Sequence, residues 1–182
     1  MKFTTSALIA LLLGSVHAAD FKLSSEDIKS QTPMSKQQEF NGFGCTGGNV
    51  SPQLSWQNAP PGTKSFAVTV YDPDAPTGSG FWHWTVANIP ADVTELATGA
   101  GSPGGDLPSG AVQGRTDFGQ AGFGGAAPPP GHGPHRYIFT VFAVDVDRLD
   151  VTADDSGAVF GFNLHFHTLA RASITATYEN RG

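Results

Sequence analysis

Cysteine is almost missing: Cys45 is the only one in 182 residues, so no disulfide can form within one molecule. In an oxidising compartment such a thiol is either buried and inert or available for pairing between chains. Gly44-Cys45-Thr46-Gly47-Gly48 carries no neighbouring histidine to activate it as a nucleophile. Charge is sparse as well. Charged residues make up 14%, with ten Lys and Arg against sixteen Asp and Glu and a net charge of −6. Without a basic run, nucleic acid and anionic membrane surfaces are poor partners. No apolar run has transmembrane length, which takes roughly 20 residues. The Gly-x-Ser-x-Gly elbow, the His-Glu-x-x-His helix and the phosphate loop with Lys-Ser/Thr are all missing, which leaves hydrolytic catalysis without its common signatures.

What the chain has instead is glycine and proline, 23 and 13 of them, a composition for a loop-rich β protein and not a helix bundle. Residues 1–18 form a secretory signal: Lys2, an apolar stretch from Ala7 to Val16, and the small-residue pattern Val16-His17-Ala18. The remainder, 19–182, is read as one domain with a core of its own, exported to the periplasm or secreted, and without stable membrane insertion.

Alternation marks the strands. Phe66, Val68 and Val70 alternate with Ala67, Thr69 and Tyr71 until Asp72-Pro73-Asp74-Ala75-Pro76 stops the run, since proline lacks a ladder donor. A second strand runs from Phe81 to Asn88, a third from Arg136 to Val144 and a fourth from Ala172 to Tyr178. Residues 156–170 alternate like a strand but also place Val159, Phe162, Phe166 and Leu169 on one helical face. Their length, with Asp155 or Ser156 as a cap, selects a helix. Gly99 to Gly133 holds twelve glycines, a long loop of the kind that carries function in compact domains.

Chemistry collects at the strand ends. Asp72 closes the first strand, His83 opens the second, and His135 and Tyr137 share one face at the start of the third. Antiparallel pairing of the first two strands would bring Asp72 near His83, which alternation points away from Trp82 and Trp84. A carboxylate beside an imidazole favours the protonated ring, and protonated His83 or His135 with the Tyr137 hydroxyl could donate to phosphate or carboxylate oxygens. A shallow pocket for a small anion, with a proline and glycine rim, is the expectation.

Each motif has a plainer reading. Asp-Pro-Asp is commonly a turn, His83 between tryptophans can be a satisfied core histidine, and Arg115 with Asp117 reads as a structural ion pair or loop cap. A metal-dependent enzyme would draw on His165 and His167. A His-x-His pair can chelate from a strand, whereas on a helix the two side chains diverge by about 200° and share no metal. An inhibitor of an extracellular protease, contacting its target through the glycine-rich loop, is a further alternative.

The chain resembles the phosphatidylethanolamine-binding protein family in its bacterial Raf-kinase-inhibitor-like branch. The resemblance is carried by Asn49-Val50-Ser51-Pro52, Gly62 to Val68, Asp72 to Pro76, Trp82 to Pro90, Asp117-Phe118-Gly119, Pro128 to Tyr137 and Ala170 to Tyr178. It implies a mainly β fold, a large antiparallel sheet flanked by a smaller one, with a few short helices. It also implies an anion pocket with Asp72, His83, His135 and Tyr137 at the matching positions and Phe81, Trp82 and Pro129 as its rim. Phe81 stands where relatives often carry tryptophan, and Ala126-Ala127 leaves Cys45 no partner in that loop. By resemblance the protein binds phosphate, phosphoethanolamine or a carboxylate, is not an enzyme, needs no cofactor or metal, forms a homodimer and modulates a protein target of unknown identity.

Overall fold

The computed structural model describes residues 20–181; residues 1–18, expected from the sequence to be a secretory signal, lie outside them. Ten strands and one α-helix follow in order. They are β1 (Lys22–Ser24), β2 (Asn41–Gly42), β3 (Cys45–Thr46), β4 (Leu54–Gln57), β5 (Ser65–Asp72), β6 (Phe81–Pro90), β7 (Glu95–Leu96), β8 (Val112–Gln113), β9 (His135–Val144), α1 (Gly157–His167) and β10 (Thr168–Tyr178). The large sheet has the order β10-β9-β5-β6-β8, and every pairing in it is antiparallel. A three-stranded sheet, β1-β4-β7, packs on it, and β2-β3 forms a small hairpin. The expected architecture is present, with one α-helix and a 3₁₀ turn at Lys36–Gln38.

The central strand β5 is buried on both sides. Phe66, Val68 and Val70 enter the main core with Trp84, Phe139, Val141 and Trp56 from the small sheet. Ala67, on the other face, packs with Val144, Phe160 and Leu164 beneath α1. Each large side chain fully removed from water contributes about 1.5–3 kcal/mol, so two cores on one strand explain its nearly unbroken apolar run.

The helix turns a different face inward from the stripe read in the sequence. Phe160 and Leu164 are buried, whereas Phe162 is 67% and Phe166 63% exposed. Ser156 sits at the N-cap in extended conformation but makes no side-chain cap bond. The helix stops at His167, and β10 begins immediately, four residues ahead of the expected start at Ala172, because Thr168 to Arg171 find partners in β9.

The β5–β6 ladder is irregular where it matters. Val70 pairs with Trp84 and Tyr71 with Trp82, which leaves His83 as the extra residue of a bulge. Bulges re-aim side chains next to sites. Here strict alternation is lost: Trp84 enters the main core while His83 also turns to that side, its ring 5.1 Å from Tyr137. The expectation that His83 points away from both tryptophans therefore holds for Trp82 alone. A second bulge, between the pairs Phe66–Ile89 and Val68–Val86, puts Asn88 at φ 60°, where its side chain accepts from Leu149 N at 2.7 Å.

Candidate functional site

The turn after β5 is built by Asp72. Its Oδ1 accepts from the backbone N–H groups of Asp74 at 2.8 Å and Ala75 at 3.1 Å, an aspartate-closed turn of the kind the Pro-rich sequence suggests. Its Oδ2 is left for a second task, and His135 Nδ1 meets it at 2.7 Å. Both side chains are buried. The carboxylate thus grips His135, not His83 as sequence adjacency suggested: β9 and β6 both flank β5, and the β9 side supplies the contact. Asp72 still acts on His83 through space, favouring its charged form.

His83 is held by the glycine-rich loop. Its Nδ1 donates to the carbonyls of Gly124 at 2.9 Å and Gly125 at 3.0 Å, while Gly124 N–H returns a bond to His83 O at 2.8 Å. Neither glycine could carry a side chain, since a Cβ on Gly124 would strike the Phe118 ring and one on Gly125 the backbone of Gln38 to Phe40. With Nδ1 committed, Nε2 is the nitrogen left to meet a guest. Burial pushes the His83 pKa below its ordinary value, against the opposing pull of the two carbonyls and Asp72, which favours the neutral ring.

A cavity of about 190 Å³ opens at this point. His83, His135 and Asp72 line it, with Ala75, Pro76 and Thr77 from the turn, Ala127 and Pro129 from the loop, and Phe43, Phe81 and Phe118 around the mouth. The three phenylalanines form one cluster: Phe118 lies 5.4 Å from Phe43 and 4.8 Å from Phe81, centroid to centroid. Phe43 is 74% exposed and occupies the left-handed region at φ 53° in the β2–β3 turn, an uncommon state for a bulky residue.

Tyr137 lies beside this cavity without lining it. Its hydroxyl is buried and makes no hydrogen bond of good geometry, though the Ala127 backbone and the Asp72 carboxylate are near enough to act on it; burial, then the charge of Asp72, raises its pKa well above the usual phenol range. The structure therefore brings Asp72, His83, His135, Phe81 and Pro129 to one cavity, sets Tyr137 next to it, and sends Trp82 elsewhere. The Trp82 ring packs against Gly157 at the start of α1 and borders a separate groove with Phe142, Leu164 and Arg171. Opposite strand faces separate it from Phe81.

The sequence does not mark Phe43, Phe118, Thr77 or His132 as site residues. Phe118 and Phe43 sit in loops, where no periodicity marks them. His132, between two glycines, places its Nδ1 2.7 Å from His135 Nε2. Arg115 and Asp117 do not pair. Asp117 Oδ2 accepts from Trp82 N at 2.7 Å and Arg115 Nε donates to Asp154 O at 3.2 Å, so each fastens the loop separately. Cys45 is buried, and desolvation, then the nearby charge of Glu39, raises its thiol pKa. His167 bonds Asp145 at 3.0 Å. Among the described residues, no group of three or more His, Cys, Asp or Glu side chains is arranged to hold a metal ion, and no helix is long and apolar enough to cross a membrane.

A family model described as phosphatidylethanolamine-binding protein matches residues 25–179. The chain belongs to that family. Among its relatives, the Escherichia coli protein YbcL is 54% identical over 175 residues, 96% of each chain. Its crystal structure superposes with a TM-score of 0.87 over 89% of this chain and 99% of that one. Escherichia coli YbhB is 55% identical over 158 residues, 87% of this chain and 99% of its own. The crystal structure of a putative family homologue from Chlamydia trachomatis, at 30% identity, has a TM-score of 0.74 and covers 88% of this chain and 97% of that one.

Proposed function

We propose that the protein is an exported, non-catalytic binder of a small phosphate- or carboxylate-bearing ligand, held in the cavity between His83 and the Asp72–His135 pair. The observation that carries this reading is that pair: a buried carboxylate bonded at 2.7 Å to a buried imidazole, beside a second imidazole whose Nδ1 is already committed. The Asp72 carboxylate fixes the orientation of the His135 ring, and an anion entering beside His83 favours the charged form of that ring. Hydrogen bonds with a charged partner contribute about 1.5–3 kcal/mol each, enough to hold a small guest without a metal.

Size supports a headgroup and not a whole lipid. The cavity's roughly 190 Å³ is below the roughly 300–1,000 Å³ of drug-sized sites and equals the liquid volume of about six waters. Phosphate fits inside; the amine end of phosphoethanolamine would lie against Phe43 and Phe118 at the mouth, where aromatic faces favour cations. The family's name agrees with a phosphate-bearing guest. Export rests on the N-terminal signal pattern, and a homodimer and a protein target remain part of the proposal through the family resemblance.

Calorimetric titration with inorganic phosphate, phosphoethanolamine and acetate tests the reading. Measurable heat in the wild type and its loss in folded His83→Ala is the expected result; equal binding by the variant overturns the assignment.

A further inference from the structure

His132 belongs to the same site, and its geometry sets a condition on ligand entry. Asp72 takes His135 Nδ1, so Nε2 is the only ring nitrogen through which His135 can reach a guest. His132 Nδ1 lies 2.7 Å from that nitrogen, with the rings steeply inclined at 68°. With its Nδ1–H given to Asp72, a neutral His135 has a bare Nε2 that accepts from His132 Nδ1–H, so His135 can donate to an anion only by taking up a proton at Nε2 that then points at the guest. An anion and His132 cannot both engage that nitrogen.

The segment carrying His132 is suited to release. His132 is exposed, whereas His135 is buried. Gly131 and Gly133 flank it at φ 72° and 87°, with open space around both. One turn bond, His132 N to Pro129 O at 3.1 Å, and one long bond, Gly131 N to Asn180 O at 3.3 Å, tie the segment down. His132 does not line the cavity, so it stands between His135 and solvent without filling the anion's place.

We propose that His132 is a latch on the anion site: it engages the Nε2 of His135 until an entering anion displaces it. This rests on the anion-pocket reading. Protonation works the latch. Two imidazolium rings cannot face each other N–H to N–H at 2.7 Å, so when both rings charge, the contact breaks and His135 is left to the anion. The remaining charges nearby largely cancel or are screened. Asp74 and Arg136 form a two-point ion pair at 2.8 and 2.7 Å, and Glu179 and Arg181, on either side of Asn180, pair at 3.0 Å. Asp72 keeps its hold on His135, and His83 is engaged by Gly124 and Gly125. Charge on both rings therefore opens the site, and the hydrogen-bonded pair closes it.

Sulfate, whose charge is constant between pH 5.5 and 8, is the probe. Calorimetry at both values on wild type, His132→Ala and His135→Ala, with imidazole nitrogen NMR on the wild type, forms the test. At pH 8 His132→Ala should bind about two- to tenfold more tightly than wild type, the value of one released hydrogen bond. The gain should shrink at pH 5.5, and sulfate should shift the His132 Nδ1 resonance. Weaker binding by His132→Ala would make His132 a ligand and overturn the latch alone, as would unchanged affinity with an unmoved resonance. Undiminished binding by His135→Ala would instead overturn the pocket reading, and the latch with it.

Discussion

Asp72 and His135 are 63 residues apart in the chain and meet at 2.7 Å between Oδ2 and Nδ1, each almost wholly buried. One carboxylate thus serves two ends: Oδ1 shapes the turn after β5 and Oδ2 orients an imidazole on β9. This division of labour separates the effects of two substitutions.

Asp72→Asn keeps an acceptor for the turn but loses the charge that supports His135, whereas Asp72→Ala loses both. Urea unfolding should find Asp72→Ala less stable than wild type by about 1.5–3 kcal/mol, with Asp72→Asn between them. Phosphate binding should fall in both. If both variants match wild type in stability, the pair is incidental.

The neutral, buried His83 predicts acid sensitivity. The unfolded chain takes up this proton near pH 6.5, while burial holds the folded ring back to lower pH. Stability from this group is therefore complete above about pH 6.5 and declines as pH falls, by at most about 1.4 kcal/mol per unit. Denaturant unfolding at pH 5 and 7.5 should show a smaller acid loss in His83→Gln than in wild type, and phosphate should restore part of the wild-type loss. Asp74 does not confuse the measurement: Arg136 holds its carboxyl at about 2, so its contribution fades only below about pH 4. Identical acid losses in both proteins would count against the neutral ring.

Tyr137 offers a test with opposite signs. Its hydroxyl makes no hydrogen bond of good geometry within the protein, so Tyr137→Phe should cost less than about 0.5 kcal/mol or even stabilise. If the bound anion supplies the missing partner, phosphate affinity should drop by about two- to tenfold. A large stability loss with unchanged affinity would assign the hydroxyl to structure alone.

Gly125 separates loop shape from chemistry. Its Cβ would meet the backbone of Gln38 to Phe40, which cannot rotate away, so Gly125→Ala should destabilise by about 1–3 kcal/mol, as overpacking does. Because Gly125 O receives His83 Nδ1, the variant should also lose anion affinity in proportion to its disorder. Thermal melting and phosphate titration of the same preparation measure both.

Much of this molecule was legible in order of residues alone. The apolar alternation of β5 and β9, and the prolines and glycines around them, mark where strands stop, and strand ends are where Asp72, His83 and His135 gather. Pairing details were not. A bulge at His83 depends on how β6 meets β5, and that extra residue decides which side chains share a face. Trp82 was assigned to the rim next to Phe81, yet neighbours on a strand face opposite ways, and α1 covers the Trp82 side. The face of α1 that packs was misjudged because its exposed side is as apolar as its buried one. His132 had a readable signal, a histidine between two glycines, but only a fold that brings the loop back onto β9 gives it a partner.

The most direct measurement is a crystal structure of the protein soaked in phosphate near pH 6. The account predicts one phosphate within hydrogen-bonding distance of His83 Nε2 and His135 Nε2, with the His132 ring moved off His135. A cavity left empty at saturating phosphate, or an anion bound only elsewhere on the surface, would contradict it.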